Sequence, residues 1–275
     1  MFKARYTMLF NAKNGTLSMG DTTMDYVRFG SGEKILIMLP GLGDGLITVK
    51  GKALPFACMF AKYTKTHTVY TFSRKNHLPE GCSTLDMAND LATAMDLLGI
   101  SQADVLGVSM GGMIAQQLAI HFPQKVRKLV LAVTLARQND VVQTVIPKWM
   151  EYAKNDDYAS LFIDVAEKSY TETYLKKYRL AYPIMTRVGK PKSFDRFLVQ
   201  ANACITHDAF SQLDRITCPT LVVGGNKDQI VGGEASRELA ENISGSKLFL
   251  YPDLGHGAYE EARDFYPRVM AFLNE

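Results

Sequence analysis

Cysteine is scarce and scattered in this sequence. Its four cysteines, Cys58, Cys82, Cys204 and Cys218, include no Cys-x-x-Cys pair, which leaves no thiolate metal motif and no dense disulfide scaffold. They read as four reduced thiols, chiefly packing residues, because cysteine is among the most often buried types. Long apolar runs are missing as well. No window approaches the roughly 18 apolar residues that a membrane helix needs. Met1 to Phe10 carry Lys3 and Arg5 but no continuous apolar stretch and no small-residue cleavage site, so no secretory leader is read there and a cytoplasmic location is expected. Charge of one sign is not in excess either: 31 Lys and Arg stand against 28 Asp and Glu, a formal +3. The basic residues form no block, so neither a nucleic-acid nor a membrane partner is expected.

What is present is ordinary globular material, with 47% hydrophobic and 21% charged residues, and that excludes disorder, collagen and coiled coil. A chain of 275 residues buries a large core without disulfides or metals. After Asn14-Gly15, a turn signal, short strands are expected at Thr16 to Met19 and Met24 to Phe29. Glu33 to Leu39 is a continuous apolar run ending at Pro40-Gly41, the pattern of a strand buried on both faces. Thr68 to Phe72 repeats it, and Ala103 to Val108 and Lys128 to Thr134 read as further strands. Between them, Met87, Leu91, Ala94, Met95 and Leu98 recur at helical spacing before Gly99, and Met113 to Phe122 reads as a helix stopped by Pro123. Strand and helix in alternation predict a mostly parallel α/β sheet flanked by helices.

The alternation breaks at about Arg137. From there to about Phe210 only helical segments rich in Tyr and Phe appear, divided near Pro147, Asn155 to Asp157, and Pro183 to Pro191. It resumes with a strand at Thr220 to Gly225, a helix at Glu234 to Ile243, a strand at Lys247 to Tyr251, and a helix at Ala258 to Leu273. The expected organisation is an α/β core, residues 1–136 and 211–275, interrupted by a helical cap over 137–210.

The informative motif is Gly107-Val108-Ser109-Met110-Gly111-Gly112, a G-x-S-x-G between a predicted strand and a predicted helix. A serine at the tip of so sharp a turn has strained backbone angles, and bulky neighbours would clash. Gly107 and Gly111 remove those side chains, and the helix that follows adds free N–H groups and a partial positive charge. The run GVSMGGMIAQQLA resembles the nucleophile elbow of the α/β-hydrolase superfamily, in particular serine hydrolases with a helical cap. The resemblance extends from about Tyr26 to the C-terminus and is weakest in the insertion. It implies an α/β-hydrolase fold, with Ser109 as nucleophile and the chain order Ser, Asp, His for the triad.

A serine hydroxyl needs a base that titrates near neutral pH. Of five histidines, His256 sits in Leu254-Gly255-His256-Gly257, past one strand and before the last helix, where the resemblance places the catalytic His. His67, His77 and His121 carry no partner signature, and His207 could face the cleft beside Asp208. Asp228, after the strand Thr220 to Gly225, fits the expected orienter; Asp214 and Asp253 are the alternatives. The family often has Pro beyond this Asp, where this chain has Val231-Gly232-Gly233. Oxyanion donors are expected from the N–H of Met110 and the N–H of Leu42, in Pro40-Gly41-Leu42-Gly43-Asp44-Gly45, a turn where the family commonly has His-Gly.

Gly41, Met113 and Trp149 are the candidate substrate-binding residues, with Met110 and Met113 as soft apolar walls. Lys148, Lys176, Lys177, Arg179 and Arg187 read as a solvated helix face, and Arg74 as a residue near the cleft or in an ion pair. The expected activity is cleavage of a small, largely apolar carboxylic ester or related acyl substrate through an acyl-enzyme. No metal or organic cofactor is required, the partner is a small acyl substrate, and the chain is expected to be a monomer or homodimer. A serine instead of an aspartate argues against the alkyl-halide and epoxide branches. An acyltransferase, a carbon–carbon bond hydrolase and a non-catalytic small-ligand receptor are the competing readings.

Overall fold

The computed structural model of the chain describes residues 10–275; apart from Phe10, the segment tested for a leader lies outside them. Eight strands form one sheet in the order β1-β2-β4-β3-β5-β6-β7-β8. They are β1 Lys13–Met19, β2 Thr22–Gly30, β3 Lys34–Leu39, β4 His67–Lys75, β5 Ala103–Val108, β6 Val126–Ala132, β7 Thr220–Gly225 and β8 Lys247–Tyr251. β2 pairs antiparallel with β1 and β4, and every other pair is parallel. This is the α/β-hydrolase fold.

Alternation of side chains along the strands feeds two cores. Ile37, Val105, Leu129 and Val222 face Met87, Leu91 and Met95 of α2 (Thr84–Leu97), Ile114 and Leu118 of α3 (Met110–His121), and Leu239 of α9 (Ala235–Asn242). On the opposite face, Leu36, Leu106, Val130 and Val223 meet α1 (Ala53–Met59) through Ala53 and Ala57, and α11 (Phe265–Asn274) through Phe265, Val269 and Phe272. Each large side chain so buried contributes about 1.5–3 kcal/mol before entropy. Helix α2 starts in a reciprocal capping box between Ser83 and Asp86 and gives way at Gly99, which takes φ 68°.

Between β6 and β7 the chain builds helices only: α4 Asp140–Lys154, α5 Tyr158–Ser169, α6 Glu172–Leu175, α7 Tyr182–Val188 and α8 Asp195–Ile205. Pro147 does not divide this region. It lies inside α4, whose buried stripe Val142, Val145, Ile146, Trp149 and Ala153 runs past it. The expected turn at Asn14-Gly15 is also displaced. Both residues are in β1, and the reversal falls at Gly20, with φ 75°. Gly15 stands opposite Tyr26, where a Cβ would overlap the Tyr26 ring, and Asn14 accepts a hydrogen bond from Ala53 N at 3.2 Å. The final helix is two, α10 (Ala258–Glu261) and α11. Pro267 fits only a first turn, so α11 starts afresh at Phe265.

Candidate active site

Every element of the site lies at the C-terminal ends of parallel strands, where open α/β sheets place their ligands. Ser109 follows β5 directly, with φ 54° and ψ −123°, a backbone state that costs a serine about 1–3 kcal/mol. Its N–H donates to Ala132 O at 2.8 Å, and its carbonyl accepts from Gly112 N at 2.8 Å. The Ser109 hydroxyl makes no cap bond to α3, although serine is a preferred N-cap residue. The flanking glycines are sterically required. A Cβ on Gly107 would overlap the Gly111 carbonyl, and one on Gly111 would overlap Leu39 O and come within 2.8 Å of Pro40 O.

Asp228 and His256 meet because β7 and β8 continue their pairing into the loops beyond them. Asn226 N donates to Tyr251 O and Lys227 N to Leu254 O, both at 3.0 Å. Gly225 makes room for this crossing, since a Cβ there would strike Leu254 O. The outcome is a 2.8 Å contact between His256 Nδ1 and Asp228 Oδ2, with both residues under a tenth exposed. Asp228 Oδ1 accepts from Ile230 N at 2.8 Å and Val231 N at 2.9 Å. These bonds hold the loop that lacks the family's proline, and Gly232 closes it at φ 86°. Asp253 is excluded as the partner: it pairs with Lys227 at 3.0 Å and is 83% exposed. Asp214 is exposed, in the 3-10 turn Phe210–Arg215.

The turn after β3 is a 3-10 segment, Leu42–Gly45, packed against α8; a Cβ on Gly45 would come within 2.7 Å of Phe197 Cα. Sequence reasoning assigned no part to Asp44, yet it anchors this turn. Its buried carboxylate accepts from Arg74 N at 3.1 Å and from Arg196 Nη2 at 3.0 Å. Arg196 also donates to Asp44 O at 2.7 Å, Arg74 O at 3.1 Å and Lys75 O at 3.1 Å. Arg74 itself donates to Pro40 O at 2.6 Å. Burial pulls the Arg74 guanidinium below its usual range, and Asp44 opposes that shift. A charged residue in a Gly-rich turn was the only available hint; Arg196 gave none.

A cavity of about 470 Å³ joins these parts. Ser109, His256, Gly41, Leu42, Met113 and Trp149 all line it. Trp149 is fixed by a 2.7 Å bond from Nε1 to Asp164 Oδ2. Asp228 stands behind His256, away from the lining. Met110 is a partial correction: its side chain is fully buried among core residues and forms no wall, leaving only its backbone N–H for the site. Of the insertion's aromatic residues, Tyr158, Phe162, Tyr170 and Phe197 join Trp149 on the wall. Lys148, Lys176, Lys177, Arg179 and Arg187 do not reach it, whereas Lys52, which the sequence left unremarked, does.

The remaining histidines stand elsewhere. His207 is buried, with Nδ1 2.8 Å from Thr84 Oγ1, and burial lowers its pKa to about 4. His67 is buried 3.5 Å from Asp104. Cys204 does line the cavity, but burial raises its thiol to about 12, which keeps it protonated. All four cysteines are unbridged. Among the described residues no cluster of three His, Cys, Asp or Glu side chains is arranged to hold a metal, and no helix is long and apolar enough to cross a membrane.

The insertion grips the His256 loop as well. Gly257 N donates to Ser169 O at 2.7 Å, and a Cβ on Gly257 would strike the Tyr170 ring. Thr171 N and Oγ1 donate to the two oxygens of Glu261 at 2.9 and 2.6 Å.

Sheet order, strained serine and acid–imidazole pair define a class, and the sequence profile of that class, the alpha/beta hydrolase fold, matches residues 34–262. The chain belongs to the α/β-hydrolase family. Among its relatives, 3-oxoadipate enol-lactonase 2 of Acinetobacter baylyi is 24% identical over 242 residues, 85% of this chain and 86% of that one. The 2-hydroxymuconate semialdehyde hydrolase of Pseudomonas putida is 30% identical over 185 residues, 66% of each chain. The solved enol-lactonase of Burkholderia xenovorans superposes with a TM-score of 0.80 at 23% identity, over 95% of this chain and all of that one.

Proposed function

We propose that the chain is a serine hydrolase that cleaves a small, largely apolar carboxylic ester or related acyl substrate through an acyl-enzyme. The observation that carries this reading is the Asp228–His256 contact of 2.8 Å beside the cavity lined by Ser109 and His256. With Nδ1 of His256 bonded to Asp228, the basic Nε2 is the nitrogen left for Ser109. In the proposed reaction Ser109 Oγ attacks the acyl carbon while Nε2 takes its proton. Asp228 holds the imidazole in place and stabilises its cation. The N–H groups of Leu42 and Met110 receive the oxyanion, and each such donor is worth roughly 10²–10³ in rate. The imidazolium then protonates the leaving alcohol, and water, deprotonated by His256, releases the acid and restores Ser109. The relatives named as an enol-lactonase and as a semialdehyde hydrolase support hydrolysis, and an ester and a carbon–carbon bond both stay open as the bond this chain cleaves.

Labelling with a fluorophosphonate, read by mass spectrometry, tests the assignment without knowledge of the substrate. An adduct on Ser109 is expected in the wild type, and none in Ser109→Ala or His256→Ala. A folded wild-type protein that takes no label refutes it and favours a receptor built on the same scaffold.

A further inference from the structure

The cavity beside Ser109 is apolar apart from its polar loops, yet one wall carries charge out of balance. Among the described residues Lys52 is the only lysine or arginine that lines it, and Asp44 the only acid. The two do not neutralise each other. Lys52 has no carboxylate within 4.0 Å among the described residues, while the Asp44 carboxylate is engaged by Arg196 at 3.0 Å and faces Arg74 at 3.9 Å. Arg74 and Arg196, outside the lining, thus both stand on the one Asp44 carboxylate, which leaves Lys52 as the cation of the wall without an ion-pair partner among the described residues. The lysines and arginines of the inserted helices that were read as a solvated face are absent from the lining, so none of them competes for this place.

Lys52 is half-buried, and burial pulls its ammonium below the usual lysine range while Asp44 pushes the other way. A partly desolvated ammonium without a partner is unfavourable, and a ligand carboxylate relieves it with a charge-assisted hydrogen bond. The nearest stretches of the wall in sequence, Val49 and Phe56, are apolar and buried or half-buried. They offer a ligand no competing polar contact.

We propose that Lys52 is the anion-binding residue of this cavity, and that the substrate is a small acyl compound carrying a second, carboxylate-type negative charge. This rests on the serine-hydrolase reading for the acyl end only. Lys52 takes the distal charge while Ser109 meets the acyl carbon, so the lysine selects the substrate and sets its direction in the site.

Binding tests this without turnover. The probes are stable amides, the mono-4-nitroanilides of glutaric, adipic and pimelic acids, each paired with the neutral anilide whose terminal isopropyl group replaces the carboxylate. Titration calorimetry on the wild type is expected to show one member of the series binding about tenfold or more tightly than its neutral partner. Lys52→Met removes that preference, Lys52→Glu reverses it, and Lys52→Arg retains it. Equal affinity for anionic and neutral partners across the series overturns the proposal, as does a preference that survives in Lys52→Met. Because the amides need no nucleophile, a failure of Ser109 to take the fluorophosphonate is read separately and refutes the acyl chemistry alone.

Discussion

Arg196, on the inserted helix α8, donates to both the main-chain carbonyl of Asp44, at 2.7 Å, and its carboxylate, at 3.0 Å. A residue inserted between β6 and β7 thus holds the turn that contains Leu42. In Arg196→Met the aliphatic stem is kept, but Asp44 O, Arg74 O and Lys75 O each lose the arginine donor. The turn is expected to relax, lowering kcat for 4-nitrophenyl butyrate by about tenfold or more with a smaller change in KM. The melting temperature should fall by a few degrees. An unchanged kcat would mean that the turn keeps its shape without this arginine.

Gly111→Ala sets a side chain against backbone, because the new Cβ would overlap Leu39 O and approach Pro40 O to 2.8 Å. Neither atom can rotate away. The expected cost is about 3 kcal/mol in urea or thermal unfolding, with fluorophosphonate labelling lost because the elbow is pushed off the turn. Gly43→Ala is the control for stability. No atom lies within 4 Å of its added Cβ, and the change should stay within about 0.5 kcal/mol.

His207 predicts an acid limit. Its folded pKa of about 4 lies below the ordinary 6.5, because burial disfavours the cation. Between those values the unfolded chain binds the extra proton and the folded one does not, so stability falls as pH drops from about 6.5 towards 4. A two- to three-unit shift corresponds to roughly 3 kcal/mol at the lower end. His207→Gln is expected to flatten the dependence of denaturation midpoint on pH in that window. A slope identical to the wild type would assign the acid sensitivity to other groups.

The parts of the fold that the sequence displayed are those with strong local causes. Continuous apolar runs marked β3, β5 and β7, and Gly99 and Pro123 marked where helices end. Ser109 was legible because its strained turn demands glycine at fixed offsets, and His256 because glycines flank it between a strand and a helix. Asn14-Gly15 misled because a cross-strand requirement, room for the Tyr26 ring, selects glycine as readily as a turn does. Pro147 misled because tertiary burial of one face carried α4 through it. The clamp of Arg196 on Asp44 spans 152 residues, and no local pattern encodes a partner that far away. Lys52 was overlooked for a related reason: its meaning comes from a cavity wall assembled by other segments.

The bond from Gly257 N to Ser169 O joins the insertion to the His256 loop through main chain on both sides. A small residue that continues the end of α5 keeps the carbonyl on offer at position 169, which is buried and on the cavity wall. Arg196 works in the opposite sense: its own side chain makes the bonds, and three of its four acceptors are backbone oxygens of the Asp44 turn and of β4. The hold of the insertion on the loops around Ser109 therefore tolerates a change of side chain at the Ser169 bond, whereas at the Asp44 turn it depends on one arginine.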